Sequence, residues 1–508
     1  MWAFDGRRAS GQVAALAARR WGRRSGALAC VLATCLLAAC GTLPAHVDAV
    51  RSFARVPADD GPLVRIARNS TPSADDSGVR LMPLGSYSLD TRIQLARRAS
   101  DSIDLQYYVF ESDRTGRSLM LALRDAALRG VRVRLLVDDL YTTHSDPLLR
   151  GLAAYPNVEV RLFNPFCCAR SGNFVLRYLG SAFDFGRLNH RMHNKLFVVD
   201  GVMAVAGGRN ITDEYFLRAA DSNFVDVDAF LMGAVVRDLE AIFDRYWNSE
   251  IVYPIEAIGM VGAAGSKDAE RRSAFDRTMA SLPSSPPLDP PPYDVLGYGP
   301  ISEDLDAGRV GLIWGRARAF ADPPEKLFLM TAQIAYEMSV TSDVFMRVLT
   351  ASRELVLMSP YLIPGERGMA LFRHLKDAGV KVTVITNSLA ATDVPLVYAG
   401  YARYREAMLE AGVDLYELSP TRTQNSKGLG MFGPSLGRLH AKTVVIDRRV
   451  VFIGSMNLDP RSATSTPSSA SSSRARRSPR RCFASSTSAS STAPTEFAAM
   501  RRPARCNG

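Results

Sequence analysis

The stretch His193–Asn210 reads HNKLFVVDGVMAVAGGRN, and a second stretch, His440–Asn457, reads HAKTVVIDRRVVFIGSMN. The apolar runs on either side of the Asp in each stretch predict two short strands joined by a turn. Alternate residues of a strand share a face, so the His and the Lys of each H-x-K motif project to the same side. Two such hairpins facing each other would form one site. The residues shared at identical spacing are His193, Lys195, Asp200, Gly207 and Asn210 in the first copy and His440, Lys442, Asp447, Gly454 and Asn457 in the second.

The repeat continues outside the two hairpins with a period of about 250 residues, far longer than the unit of a solenoid. An alternating apolar segment at Ala99–Phe110 is matched at Ala351–Ile363, and each precedes a helical pattern and a second apolar strand. The helical segments are Leu119–Gly130 and Met369–Gly379, and the second strands start at Arg132 and Lys381. Strand, helix and strand in this order form a parallel crossover unit, so we predict two duplicated α/β domains.

The doubled H-x-K-x-x-x-x-D with a trailing G-[GS]-x-N resembles the phospholipase D superfamily. The segment Arg191–Phe216 resembles its bacterial cardiolipin synthase-like branch. The likeness runs from about Leu81 to Ser462 and includes SPYLIPG at Ser359–Gly365 and GSMNLDPRS at Gly454–Ser462. The resemblance implies two tandem phospholipase D-like α/β/α sandwich domains with one active site at their interface. It implies no metal and no other cofactor.

Six segments follow from the repeat and from shifts in composition. We predict a lipoprotein signal peptide at 1–39, an N-terminal linker at 40–80, a first phospholipase D-like domain at 81–250, a Pro-rich connector at 251–342, a second and truncated domain at 343–463, and a Ser/Arg-rich tail at 464–508.

The N-terminus combines arginines with the apolar run Gly26–Ala39, which is too short to span a bilayer and is typical of a signal peptide. The tetrapeptide Leu37–Cys40 resembles a lipobox, which implies that Cys40 is acylated and anchors the chain to a membrane of the cell envelope. An ordinary cleaved signal, or a start site placed too early, is the alternative. The absence of Asp after Cys40 slightly favours the outer membrane.

The net charge of +11 does not indicate nucleic acid binding, because it lies at the two ends of the chain. Six arginines and one aspartate precede Cys40, and eight arginines and one glutamate follow Ala463, so the ends carry +5 and +7 and the body −1. A nuclease would need a basic groove, so we expect no nucleic acid partner. Of the seven cysteines only Cys167 and Cys168 lie in the body, and no metal-ligand spacing is present.

The tail after Ala463 contains no Leu, Ile or Val, so it cannot bury enough apolar surface to fold. Sequences that the chain resembles continue from L-D-P-R-S into an N-T-E segment, and Ser468 stands where that Glu is expected. We hypothesise a shifted reading frame near residue 463. A genuine disordered tail is the alternative.

Cleavage of a phosphodiester requires a nucleophile, an acid for the leaving group, and cations for the phosphoryl oxygens, and two His with two Lys supply these. By resemblance, His193 is the nucleophile and His440 the acid and base. Lys195, Lys442, Asn210 and Asn457 hold the phosphoryl oxygens, and Ser455 adds a hydroxyl donor. Asp221 is the candidate carboxylate that orients a histidine. Asp200 and Asp447 are counted with the site, but we expect them to brace the turn and the facing Lys rather than to move protons.

The chemistry serves transfer or hydrolysis, depending on the acceptor. A lipid anchor would hold the site close to a bilayer, so the prediction is phosphatidyl transfer between phospholipids, with phosphatidylglycerol as the substrate. Hydrolysis to phosphatidic acid is the runner-up, and an inactive lipoprotein with a damaged C-terminus stays open. The sequence leaves the oligomeric state undetermined.

Overall fold

The computed structural model describes residues 43, 49–166, 185–188, 190–258, 267–281, 291–325, 334, 337–420, 435–458, 469–475 and 497–499. The predicted lipidation site Cys40, the Cys167–Cys168 pair and Ser468 lie outside these residues. Among the described residues, none of the helices is both long and apolar enough to cross a lipid bilayer.

Within the described residues, the first half of the chain contributes nine strands and six α-helices. The strands are β1 (Ser77–Met82), β2 (Ser102–Tyr107), β3 (Arg132–Asp138), β4 (Val158–Phe163), β5 (Leu196–Val199), β6 (Met203–Gly207), β7 (Ser222–Val225), β8 (Asp228–Gly233) and β9 (Val252–Pro254). The helices are α1 (Pro62–Ser70), α2 (Gly85–Arg98), α3 (Arg114–Leu128), α4 (Asp146–Ala153), α5 (Phe185–Leu188) and α6 (Val235–Trp247).

The connector and the second half contribute the other described elements. The helices are α7 (Asp268–Ala280), α8 (Ile301–Asp306), α9 (Val340–Val348), α10 (Gly365–Asp377), α11 (Pro395–Ala402) and α12 (Arg405–Glu410). The strands are β10 (Ile313–Ala321), β11 (Glu354–Met358), β12 (Lys381–Asn387), β13 (Asp414–Leu418), β14 (Leu436–Leu439), β15 (Thr443–Ile446), β16 (Val450–Gly454), β17 (Ser469–Ala475) and β18 (Phe497–Ala499).

Both halves form the same sheet pattern, and the two patterns join into one sheet. The strand order is β18-β13-β12-β11-β15-β16-β17-β10-β1-β8-β6-β5-β2-β3-β4-β9. The pairs β2–β3 and β11–β12 are parallel, and each predicted H-x-K hairpin is an antiparallel pair, β5–β6 and β15–β16. The predicted duplication into two α/β domains is therefore confirmed, with β10 at the joint between them.

Helices on both faces bury the central strands of the first half. In β5, Phe197 and Val199 pack into the cluster with α2 and α3, whereas Leu196 and Val198 pack into the cluster with α6. Because neighbouring residues of a strand point to opposite faces, a strand covered on both sides has to be apolar throughout. This explains why LFVV is a continuous apolar run, and it places the H-x-K motif at the end of a rigid strand.

The described part of the predicted tail consists of two strands, β17 and β18. The backbone of β17 pairs antiparallel with β10 and with β16, in the second-half position that β8 occupies in the first half. A strand between two others satisfies its backbone hydrogen bonds whatever its side chains are, so pairing there requires no apolar sequence. Strand β18 pairs antiparallel with β13, so both described segments of the tail form strands, whereas the composition predicts an unfolded tail. The shifted reading frame stays a prediction.

A half-buried carboxyl on α6, that of Glu240, yields a prediction about stability. Burial, together with the carboxylates of Asp104 and Asp244, raises the pKa of Glu240 to about 7. Because this pKa is higher in the folded than in the unfolded state, the contribution of Glu240 to the free energy of unfolding is fully present at low pH. That contribution is lost as the pH rises through about 7. We expect Glu240→Gln to raise the melting temperature at pH 8 and to leave it unchanged near pH 4. The exposed Glu250→Gln is the matched control, and an equal effect of Glu240→Gln at both pH values would contradict the assignment.

Candidate active site

The two halves meet at a short parallel pair of strands that crosses their interface. Strand β7 of the first half pairs with β14 of the second, with Val225 opposite Leu439. Beyond the pair, the amides of His440 and Ala441 both donate to the carbonyl of Val225, at 2.8 and 3.1 Å. The next residue of the first half, Asp226, therefore lies beside His440.

The His440 ring is held at both nitrogens by residues of the first half. Its Nδ1 lies 2.6 Å from Oδ2 of Asp226, and its Nε2 lies 3.2 Å from the Tyr215 hydroxyl. The carboxylate can only accept, so Nδ1 carries the proton. Burial would raise the pKa of Asp226, but contacts with His440 and Lys442 bring it below its ordinary value. Asp226 is thus an ionised, fully buried carboxylate that orients the imidazole across the interface.

The His193 ring has a different partner. Its Nδ1 lies 2.8 Å from the backbone carbonyl oxygen of Ser455, which can only accept, so Nδ1 carries the proton and Nε2 keeps its lone pair. Burial, Lys195 and Lys442 hold the pKa of His193 well below its ordinary value. His193 is therefore a neutral imidazole with Nε2 available as a nucleophile. The ring of Tyr108 packs edge-on against it, with centroids 5.0 Å apart.

The two lysines adopt the same arrangement in both halves. Nζ of Lys195 donates to the carbonyl of His193 at 2.7 Å, and Nζ of Lys442 donates to that of His440 at 2.5 Å. Burial and the charge of Lys442 lower the pKa of Lys195 well below its ordinary value. Burial and Lys442 likewise lower the pKa of His440 to about 4, while Asp226 opposes this. Two buried cations that repel each other favour the binding of an anion between them.

The asparagines complete the symmetric set. Asn210 accepts from the amide of Val109 at 3.2 Å and donates to the Tyr215 hydroxyl at 3.1 Å. Oδ1 of Asn457 is buried and has no hydrogen-bond partner among the described residues. Ser455 is fully buried, and the atom that it presents to His193 is its carbonyl oxygen rather than the predicted hydroxyl.

The prediction of Asp221 as the orienting acid is wrong. Asp221 is exposed, and its backbone carbonyl accepts from the amide of Leu436. The orienting acid is Asp226, five residues further on, and it serves the histidine of the other half. Gly208 permits this approach, because a Cβ there would collide with the Asp226 carboxylate.

Asp200 and Asp447 lie at the far ends of β5 and β15 and do not belong to the reacting set. Asp200 accepts from the amides of Ser100, Asp101 and Ser102 at 2.9–3.0 Å, and Asp447 accepts in the same way from residues 352–354 at 2.8–3.0 Å. Both sit at positive φ in the hairpin turn. Each therefore braces the turn against the start of the neighbouring strand rather than against a lysine.

Two further polar groups escaped the sequence reasoning. Tyr215 contacts His440, and burial raises its pKa well above the ordinary value, so its hydroxyl stays protonated. Asp138, at the end of β3, accepts from the amide of Met192 at 2.8 Å, next to His193, and burial raises its pKa to about 6 despite Arg191. Neither lies inside a repeated motif, so the spacing of the H-x-K copies carried no information about them.

Comparison with known proteins agrees with this geometry. Residues 92–247 and 346–468 match the family model described as "Cardiolipin synthase, PLD-like domain". The chain is 41% identical to cardiolipin synthase C of Escherichia coli over 390 residues, covering 75% of this chain and 78% of that protein. It is 31% identical to an uncharacterised protein of Helicobacter pylori, over 76% of this chain and 74% of the other.

A solved structure shows the same fold. Phosphatidylserine synthase from Haemophilus influenzae superposes with a TM-score of 0.55 at 14% identity, covering 83% of this chain and 87% of that one.

Proposed function

The chain belongs to the cardiolipin synthase-like branch of the phospholipase D superfamily, a family of phosphatidyltransferases, and from this we propose that it joins two phosphatidylglycerol molecules through a phosphohistidine at His193. The observation that carries the proposal is the difference between the two histidines. His193 presents a bare Nε2, whereas His440 is paired with a buried carboxylate that stabilises its protonated form.

In the first step, Nε2 of His193 attacks phosphorus and the bond from phosphorus to the leaving glycerol oxygen breaks. His440 gives its Nε2 proton to that oxygen, so glycerol departs neutral. In the second step, His440 removes the proton from the acceptor hydroxyl, whose oxygen attacks phosphorus and breaks the N–P bond. Both histidines return to their starting states.

The lysines act on the charge of the phosphoryl group. Lys195 and Lys442 converge on the site from opposite halves, and their mutual repulsion is relieved when a phosphodiester anion lies between them. The same anion raises the pKa of His440, which favours the imidazolium needed for proton donation. Asn210 and Asn457, from matching positions, add amide donors for the non-bridging oxygens.

The acceptor is the finer part of the proposal. Phosphatidylglycerol offers a primary hydroxyl on its free glycerol end, and its use gives cardiolipin and glycerol. Acylation of Cys40 would keep the enzyme at the surface where both substrates reside. Support comes from the similarity to a cardiolipin synthase of E. coli; the acceptor itself is a matter for experiment.

Incubation of the purified full chain with phosphatidylglycerol vesicles tests the acceptor. We expect cardiolipin and glycerol in equal amounts, because the neighbouring lipid hydroxyl outcompetes water at the bilayer surface. Separation of the lipid products identifies them. Phosphatidic acid in place of cardiolipin would establish the hydrolytic alternative, and no lipid product at all would support an inactive lipoprotein.

A further inference from the structure

Helix α11 has an unusual composition for its position. Its sequence, PLVYAGYA, contains no charged residue, yet only Val397 and Tyr401 are buried. Leu396 is 85% exposed, and Ala399 and Ala402 are exposed as well. A helix that is apolar all round is normally buried on every side or lies against lipid.

The inner face of α11 is fixed by packing, which directs the outer face to solvent. A side chain on Gly400 would collide with Ile363, 2.7 Å from its Cδ1, so the helix lies directly on the loop that follows β11. The hydroxyl of Tyr401 donates to Glu417 at 2.8 Å, and that of Tyr398 accepts from Arg405 at 2.9 Å. These contacts prevent the helix from rolling inward to bury Leu396.

The loop before α11 extends the apolar surface. Leu389 is 59% exposed, and Ala390 and Pro395 are also exposed. We call this surface the α11 patch, defined by Leu389, Ala390, Pro395, Leu396, Ala399 and Ala402. Asp393, exposed just before the helix, and Arg403, exposed just beyond it, place charges of opposite sign at its rim.

The elements that carry the α11 patch are bonded to the second H-x-K hairpin. Asn387, at the end of β12, bonds both backbone groups of Leu439 at 2.9 Å, immediately before His440. The amide of Ile363, under α11, donates to the carbonyl of Leu458 at 2.8 Å, immediately after Asn457. The support of α11 is therefore continuous with both ends of the second catalytic motif.

We propose that the α11 patch is the surface by which this protein contacts the phospholipid bilayer, with Leu389 and Leu396 entering the boundary between headgroups and acyl chains. The inference rests on the proposed function, since a two-chain phospholipid reaches a buried site most readily when the entrance meets the membrane. A shallow exposed apolar face, with charged residues only at its rim, suits the boundary between headgroups and acyl chains. The exposed Leu128, at the end of α3 in the first half of the chain, is the matched control.

The first measurement is contact. The full chain carrying Leu396→Trp or Leu128→Trp is mixed with phosphatidylglycerol vesicles whose acyl chains are brominated, and Trp quenching is recorded. We expect added quenching for Leu396→Trp only, relative to the parent. Equal quenching of the two variants would overturn the proposal, whether or not an acyl chain on Cys40 also holds the protein on the vesicle.

The second measurement is turnover on two forms of phosphatidylglycerol. We expect Leu396→Asp to lower the turnover of phosphatidylglycerol in vesicles by about tenfold or more, because the insertion of one leucine strengthens membrane binding by roughly that factor. Turnover of a monomeric short-chain lipid should stay within about twofold of the parent. Leu128→Asp should change neither. Unchanged vesicle turnover in Leu396→Asp would refute the proposal; if the variant loses both activities through misfolding, the quenching result decides.

The two proposals fail in different ways. If the parent turns over neither lipid form while Leu396→Trp is still quenched, the phosphatidyl transfer is wrong and the membrane contact stands. If the parent makes cardiolipin and Leu396→Trp is not quenched, the phosphatidyl transfer stands and the membrane contact is wrong.

Discussion

We expect His193→Ala to abolish phosphatidyl transfer, with a loss of about 10⁴-fold or more, because the variant lacks the Nε2 lone pair that we propose as the nucleophile. The measurement is the appearance of cardiolipin or phosphatidic acid from labelled phosphatidylglycerol. The exposed His374→Ala on α10 is the matched control and should behave like the parent. Equal turnover by His193→Ala and the parent would remove the enzyme claim altogether.

The roles of the two histidines separate with a substrate whose leaving group needs no acid. In His440→Ala, a phosphodiester with a nitrophenolate leaving group should still release one equivalent of nitrophenolate and leave the phosphoryl group on His193, because the role proposed for His440 is proton transfer alone. His193→Ala should release none. A burst in His193→Ala and its absence in His440→Ala would reverse the assignment of nucleophile and acid.

Asp226→Asn should lower turnover by about 10²- to 10⁴-fold, the range typical of a lost proton-transfer partner. The Asp226 carboxylate raises the pKa of His440 against burial and Lys442, so its neutralisation lowers that pKa further. The imidazolium is then lost at lower pH, and the basic limb of the profile of kcat/KM should move to lower pH. A merely structural role would reduce the rate without moving this limb.

The control for this experiment is the neighbouring Asp221→Asn, which removes the same charge from an exposed position. We expect the rate and the pH profile of this variant to match those of the parent. If Asp221→Asn shifts the basic limb and Asp226→Asn does not, the contact across the interface is not the one that orients His440.

Among the described residues, the histidines of the two halves have different partners. Asp226 precedes β8 and meets His440, whereas β17, the second-half equivalent of β8, begins after Ser468, and His193 meets a backbone carbonyl instead. This asymmetry is consistent with the shifted reading frame predicted near residue 463. Sequencing the gene from the codon of Gly454 onward tests that prediction, and a restored N-T-E segment would supply a carboxylate for His193.

The sequence by itself determined the duplication, the two hairpins and the identity of His193, Lys195, His440 and Lys442. These features depend on local periodicity and on residues at fixed spacing, which the chain carries in each copy. The bracing role of Asp200 and Asp447 was also readable, because a carboxylate in a tight turn captures nearby backbone amides.

Only the tertiary structure decided which acid serves which histidine. Asp226 and His440 are 214 residues apart, and their 2.6 Å contact exists because β7 and β14 pair across the interface. The exposure of Leu396 and the choice of the Ser455 carbonyl as the partner of His193 have the same origin. Periodicity reports which face of an element is apolar, but contacts between distant elements are set by how the two domains pack against each other.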